Sequence, residues 1–203
     1  MPTPAAPQLV IISGPSGAGK STVVRELMTC DAVPLRLSVS ATTRPPRQGE
    51  VDGIHYHFLT HAEFASRKER GEFLECKEVF GRGDWYGTLK SEVEAGLAAG
   101  DWVVLEIDVE GALAVLDERS DAITIFIDPG TREELERRLR SRNTDSEAAI
   151  QRRLEVADRE LALANRYTHH VVNHTVAQAV QDICAILGQE SQKAGQAAPK
   201  STR

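Results

Sequence analysis

Residues 14–21 read Gly14-Pro15-Ser16-Gly17-Ala18-Gly19-Lys20-Ser21, the G-x-x-x-x-G-K-[ST] pattern of a phosphate-binding loop. Before it runs Leu9-Val10-Ile11-Ile12, a continuous apolar stretch suited to a strand buried on both faces of a parallel sheet. After it, Val23, Val24 and Leu27 fall at helical spacing. Strand, glycine loop and helix open a βαβ unit, which commits the chain to an α/β fold with a parallel sheet. Each position in the loop has a physical reason. Glycines let successive backbone N–H groups turn toward phosphate oxygens, and the helix that follows points its free N–H groups at the same anion. Lys20 adds a mobile charge for the outer phosphates, and the Ser21 hydroxyl can ligate Mg²⁺. A chance match arises on the order of once in a hundred chains of this length, and the strand–loop–helix context makes chance a poorer account still. Residues 14–21, with Thr22 in the first helical turn, are the expected ATP-binding loop.

The rest of the chain divides by texture. From about Leu35 to Lys90 the chain alternates more like antiparallel strands (35–40, 55–59 and 73–79), with Pro45, Pro46, Gly49 and Gly53 in loops. This stretch reads as a subdomain of about 35–100, inserted into a core of 8–34 and 101–189. Thr60 with Glu63, and Thr131 with Glu134, are capping-box patterns, and Ser146 is an N-cap candidate. The α/β rhythm returns at 102–107, 122–127 and 169–173, with a polar lid segment at about 140–148. Residues 1–7 and 190–203 are expected to be flexible termini.

A net charge of −6 argues against a nonspecific nucleic-acid binder. No apolar run is long enough to span a bilayer and no secretory signal is visible. Cys30, Cys76 and Cys184 are odd in number and widely spaced, which reads as reduced thiols in a cytoplasmic chain. His55 and His57 share a strand face without a third ligand, so a metal pair there is disfavoured.

A phosphate loop alone leaves the acceptor open. Arg44-Pro45-Pro46-Arg47 places two guanidinium forks around a rigid turn, a geometry that can clamp a phosphate. With Ser40, Gly49-Glu50-Val51-Asp52-Gly53 and Tyr56, this segment resembles the nucleotide-acceptor segment of guanylate kinases. The likeness continues through Gly71-Glu72-Phe73-Leu74-Glu75, Trp85-Tyr86-Gly87-Thr88, Leu105-Glu106-Ile107-Asp108-Val109-Glu110-Gly111-Ala112 and Arg142-Asn143-Thr144-Asp145. It covers nearly the whole chain in order.

The resemblance implies a three-layer P-loop kinase core, a GMP-binding insertion and a mobile lid. It implies transfer of phosphate from ATP to GMP, and to dGMP as well, with Mg²⁺, in purine nucleotide metabolism. Small molecules are the implied partners, with no nucleic acid or membrane, and oligomeric state is left open. Arg44, Arg47, Tyr56 and Tyr86 would hold the GMP phosphate, while Ser40, Glu75, Thr88 and Asp108 would read the guanine. Guanine offers donors at N1 and N2, which suits a carboxylate such as Glu75, whereas adenine presents a lone pair at N1. Lys20, Arg44, Arg138, Arg142 and Arg153 are the implied catalytic charges, Asn173 lies on the ATP side, and Ser21 with Glu106 would hold Mg²⁺ through water. Asn143 and His174 depart from the family's usual glycine and acid. A non-catalytic module of the same fold would carry a degraded loop, and Gly19, Lys20 and Ser21 are intact.

Overall fold

The computed structural model describes residues 6–78, 83–141 and 146–197. The chain opens with β1 (Leu9–Ser13), the glycine loop and α1 (Lys20–Leu27), followed by β2 (Leu35–Leu37). Next come β3 (Ala41–Thr42), β4 (His57–Phe58), α2 (His61–Glu69), β5 (Phe73–Glu78) and β6 (Trp85–Leu89). Then α3 (Lys90–Ala99) leads to β7 (Trp102–Glu106), α4 (Val109–Glu118), β8 (Ile123–Asp128) and α5 (Arg132–Arg140). The chain continues through α6 (Glu147–Leu161), β9 (His169–Val172) and α7 (Val176–Ala197).

The main sheet has the order β2-β7-β1-β8-β9, with every pairing parallel. The central strand β1 is apolar at each turn because both its faces are covered. Val10 and Ile12 pack with Val23, Val24 and Leu27 of α1 and Ile183 and Leu187 of α7. Leu9 and Ile11 pack on the other side with Val93 of α3 and Val109, Ala112 and Val115 of α4. Chain order reverses around β1, so the carboxyl ends of β1, β7 and β8 frame the cleft where open α/β sheets bind ligands.

A second sheet, β4-β3-β6-β5, carries its own core of Ala41, Phe64, Phe73 and Leu89. Its β3–β6 and β5–β6 pairings are antiparallel, while β3–β4 is parallel. A third apolar cluster, Leu135, Leu139, Ile150, Leu154 and Ala157, joins α5 to α6.

Several boundaries differ from the sequence reading. Residues 35–37, placed in the insertion, form the edge of the main sheet, where β2 pairs in parallel with β7. At the other end α3 packs on the main sheet, with Val93 in the core beside Val103. The second sheet therefore lies between Ser38 and β6. Residues from 190, expected to be a flexible terminus, are helical as far as Ala197, where α7 ends. Glu190 explains the extension: it meets His169 of β9 at 3.4 Å and Lys193, one turn on, at 2.7 Å. Three separate reduced thiols were expected; Cys30 and Cys184 are instead brought side by side, with Cα atoms 6.2 Å apart, and Cys76 is free. The partners come together because α1 and α7 pack side by side, and 154 residues of separation conceal this in the sequence. Residues 1–5, residues 142–145 of the expected lid and residues 198–203 lie outside the described residues.

Candidate active site

The loop after β1 is shaped by close packing. Gly14 has φ +143°, and a Cβ there would lie 2.2 Å from the carbonyl oxygen of Ile127 on β8. Only glycine lets the chain leave the strand so close to its neighbour. The loop ends at Gly19, the N-cap of α1, which makes no side-chain cap bond and is followed by no acidic residue in the first turn. By contrast, Thr60, Asp108, Thr131 and Ser146 cap α2, α4, α5 and α6 with side-chain oxygens. Open N–H groups and an unopposed helix dipole leave the start of α1 ready for an anion. Lys20 Nζ donates to the carbonyls of Gly14 at 2.5 Å and Pro15 at 3.1 Å, so its charge is held across the loop.

Polar side chains brace the loop from behind. The Asn173 amide is buried and donates to Ala18 O at 2.7 Å. Arg138 donates to Ala18 O at 3.2 Å, to Asn173 O at 2.7 Å and to Glu134 at 2.7 Å. Arg153 donates to the Ser16 hydroxyl at 2.7 Å. Three of the expected ATP-side residues thus converge on the loop itself, and Asn173 supports its backbone. Thr22 is exposed on the first turn of α1. Arg142 lies outside the described residues. Among the surface arginines, Arg137 pairs with Glu134, while Arg140 pairs with Glu136 and Glu147.

Beside the loop is a cavity of about 250 Å³ lined by Ser40, Tyr56, Glu75, Lys77, Tyr86, Gly87, Glu106, Ile107 and Asp108. Five expected acceptor residues therefore share one chamber: Ser40, Tyr56, Glu75, Tyr86 and Asp108. Thr88 is buried and donates from its hydroxyl to Glu75 Oε1 at 2.8 Å, so it orients Glu75 rather than lining the space. Burial pushes the Glu75 carboxyl up to about 6. The Thr88 bond and Lys77 oppose that push, and Asp108 adds to it. Burial likewise raises the Tyr56 phenol.

Arg44 is anchored beside the chamber through Tyr86. Its Nε donates to the Tyr86 hydroxyl at 3.1 Å, and its fork meets both oxygens of Glu50 at 3.0 and 2.9 Å. It also lies 5.5 Å from the Tyr56 ring centroid, and the Glu50 bonds raise its pKa further. Arg47 is exposed, and its backbone N–H donates to Glu50 at 2.6 Å. The two forks expected to clamp a phosphate are thus unequal, because one is already locked by a carboxylate.

Sequence reasoning gave no role to Glu50 or Lys77. Glu50 lies three residues past Arg47, a spacing that folds back across the Pro-Pro turn. Lys77 follows Glu75 by two along β5, and strand periodicity alone puts both on one face. The two histidines have other partners. His55 Nδ1 accepts from the Val51 amide at 3.0 Å, and His57 Nε2 lies 3.1 Å from Glu92.

Glu106 belongs to both halves of the site: it lines the cavity and accepts from the Ser21 hydroxyl at 2.5 Å. A phosphate loop and a separate chamber that meet at one carboxylate form the layout of a P-loop phosphotransferase. The sequence profile described as guanylate kinase matches residues 6–190. A guanylate kinase of Rhodopirellula baltica is 58% identical over 181 residues, covering 89% of this chain and 87% of that one. One from Gloeobacter violaceus is 49% identical, covering 90% and 88%. A crystal structure of guanylate kinase from Anaplasma phagocytophilum superposes with a TM-score of 0.74 at 30% identity, over 97% of this chain and 92% of that one. The chain belongs to the guanylate kinase family.

Proposed function

We propose that the chain transfers the γ-phosphoryl group of ATP to GMP, giving ADP and GDP, and that dGMP serves as well. The observation that carries this reading is the half-buried Glu75 carboxylate, aligned by Thr88 in a chamber whose Tyr86 is bonded to Arg44. Guanine's donor edge at N1 and N2 matches that acceptor, with Asp108 and Ser40 beside it. Arg44, Arg47, Tyr56 and Tyr86 hold the phosphate. The Glu50 clasp leaves Arg44 as a fixed charge with most of its N–H groups already engaged, so the tyrosine hydroxyls and Arg47 supply further bonds.

The nucleophile is a phosphate oxygen of GMP, already anionic, so no protein base has to remove a proton from it. Catalysis is then positioning and charge neutralisation. The glycine loop and Lys20 hold the outer phosphates of ATP, and Arg138, Arg142 and Arg153 add positive charge over the transferring group. Ser21 and Glu106 present two hard oxygens at 2.5 Å, a donor set that suits Mg²⁺ carried mainly by phosphates and water. When bound, the ion neutralises charge on the phosphate oxygens. Among the described residues no helix is long and apolar enough to cross a membrane. The cytoplasmic pools of ATP and GMP support placing the enzyme there, in purine nucleotide metabolism.

Turnover with GMP, dGMP, AMP, UMP and CMP, run on wild type, Glu75→Gln and Arg44→Ala, tests the reading. Glu75→Gln offers a donor NH₂ to a donor edge, and an unmatched buried polar group costs about 1–3 kcal/mol. The kcat/KM for GMP should fall about ten- to hundredfold with ATP affinity unchanged, and the GMP-over-AMP ratio should narrow. Arg44→Ala should weaken every monophosphate alike, because phosphate carries no base information. Equal losses on GMP and AMP in Glu75→Gln would make Glu75 a structural residue.

A further inference from the structure

Lys77 is the cation among the described residues lining the acceptor chamber, which also holds the carboxylates of Glu75, Glu106 and Asp108. Its Nζ lies 2.5 Å from Asp108 Oδ2 and 3.0 Å from Glu110 Oε2, at the first turn of α4. Asp108 Oδ1 accepts from the Gly111 amide at 2.8 Å, so this carboxylate is gripped from both sides. Glu75 approaches the same glycine, where a Cβ would lie 3.1 Å from Glu75 Oε2 and 3.4 Å from Asp108 Oδ1. Two like charges therefore crowd one small residue, and the Asp108 charge adds to the burial that raises the Glu75 carboxyl. Lys77 also joins two layers, because β5 belongs to the small sheet and α4 covers the main one.

We infer that Lys77 is a positioning residue for base recognition: it fixes Asp108 and ties the small sheet to α4, and it keeps Glu75 an anion facing guanine. The inference rests on reading the chamber as the guanine pocket. The groups facing Glu75 are Lys77 on its own strand, Tyr86 and Thr88 on β6, Tyr56, Glu106 on β7, and Asp108 and Glu110 at α4. Glu160 on α6 lies within electrostatic reach of Lys20, Asp108 and Lys77. Against the pull of burial, Asp108 and Glu110 hold the ammonium above its ordinary pKa, so it stays charged across the working range. Burial carries the Glu75 carboxyl to about 6, and Lys77 restrains it. Without that restraint the carboxyl takes up its proton at higher pH and ceases to be a pure acceptor.

The test compares Lys77→Met, Lys77→Arg and Glu75→Gln by steady-state kinetics from pH 5.5 to 8.5. In Lys77→Met the KM for GMP should rise about fivefold, the scale of one half-exposed ion pair, with kcat falling by less and KM for ATP unchanged. The acid limb of kcat/KM for GMP should move to higher pH, and Lys77→Arg should restore both. A lysine that only supports folding would lower the melting temperature without moving the limb. If Lys77→Met is unstable, Lys77→Gln gives the same comparison. Wild-type KM and an unmoved acid limb in a folded variant would overturn the inference. If Glu75→Gln impairs GMP use while Lys77→Met does not, this inference alone fails; if neither does, the pocket reading fails with it.

Discussion

Lys20 shows how much one side chain can carry when its surroundings prepare it. Its Nζ already bridges the Gly14 and Pro15 carbonyls, so little conformational freedom remains to be lost when phosphates arrive. Lys20→Ala should lower kcat at least about a hundredfold, roughly 2.7 kcal/mol of barrier. GMP affinity by calorimetry should stay near wild type, since the acceptor is held elsewhere. Near-normal turnover would remove the loop lysine from the mechanism. At this scale the sequence was most legible for residues whose chemistry is local: the loop glycines, Lys20, and Ser21. It was least legible where a side chain is defined by its partner. Glu50 matters through the Arg44 fork and Lys77 through Asp108, and no single-residue property announces either pairing.

Secondary elements divide the same way. The Thr60 capping box is complete, with Glu63 N donating to Thr60 Oγ1 at 3.2 Å and Thr60 N donating to Glu63 Oε2 at 2.8 Å. The helix it starts places Phe64 on Phe73 with ring centroids 4.4 Å apart, which forms the small sheet's core. Thr60→Ala should therefore cost about 1 kcal/mol of stability, read as a lower denaturant midpoint with an unchanged slope. A midpoint identical to wild type would mean that α2 is held by packing alone. Caps at Thr60, Thr131 and Ser146 were readable because donor and acceptor lie three residues apart. The parallel pairing of β2 with β7 was not, because a three-residue strand gives too short a pattern to tell one sheet from another. The last turns of α7 were hidden for a related reason. A polar run reads as solvated chain until His169, on another element, is seen to hold it.

Across the whole molecule the apolar clusters are separate: one on each face of the main sheet, one under the small sheet, and one between α5 and α6. Bodies with their own cores can shift against each other without unpacking, which is the requirement for hinge closure. Small-angle scattering should show a smaller radius of gyration with GMP plus a non-hydrolysable ATP analogue than without ligands. An unchanged radius at saturation would exclude closure. The placement of the small sheet has a further consequence. Its chain leaves the core after β2 and returns through α3 to β7, the strand hydrogen-bonded to β2, so entry and exit share one border of the main sheet. A segment attached that way can be exchanged as a cassette. Acceptor choice is then open to wholesale replacement, by evolution or by a protein engineer, while the donor machinery at β1 and α1 keeps its form.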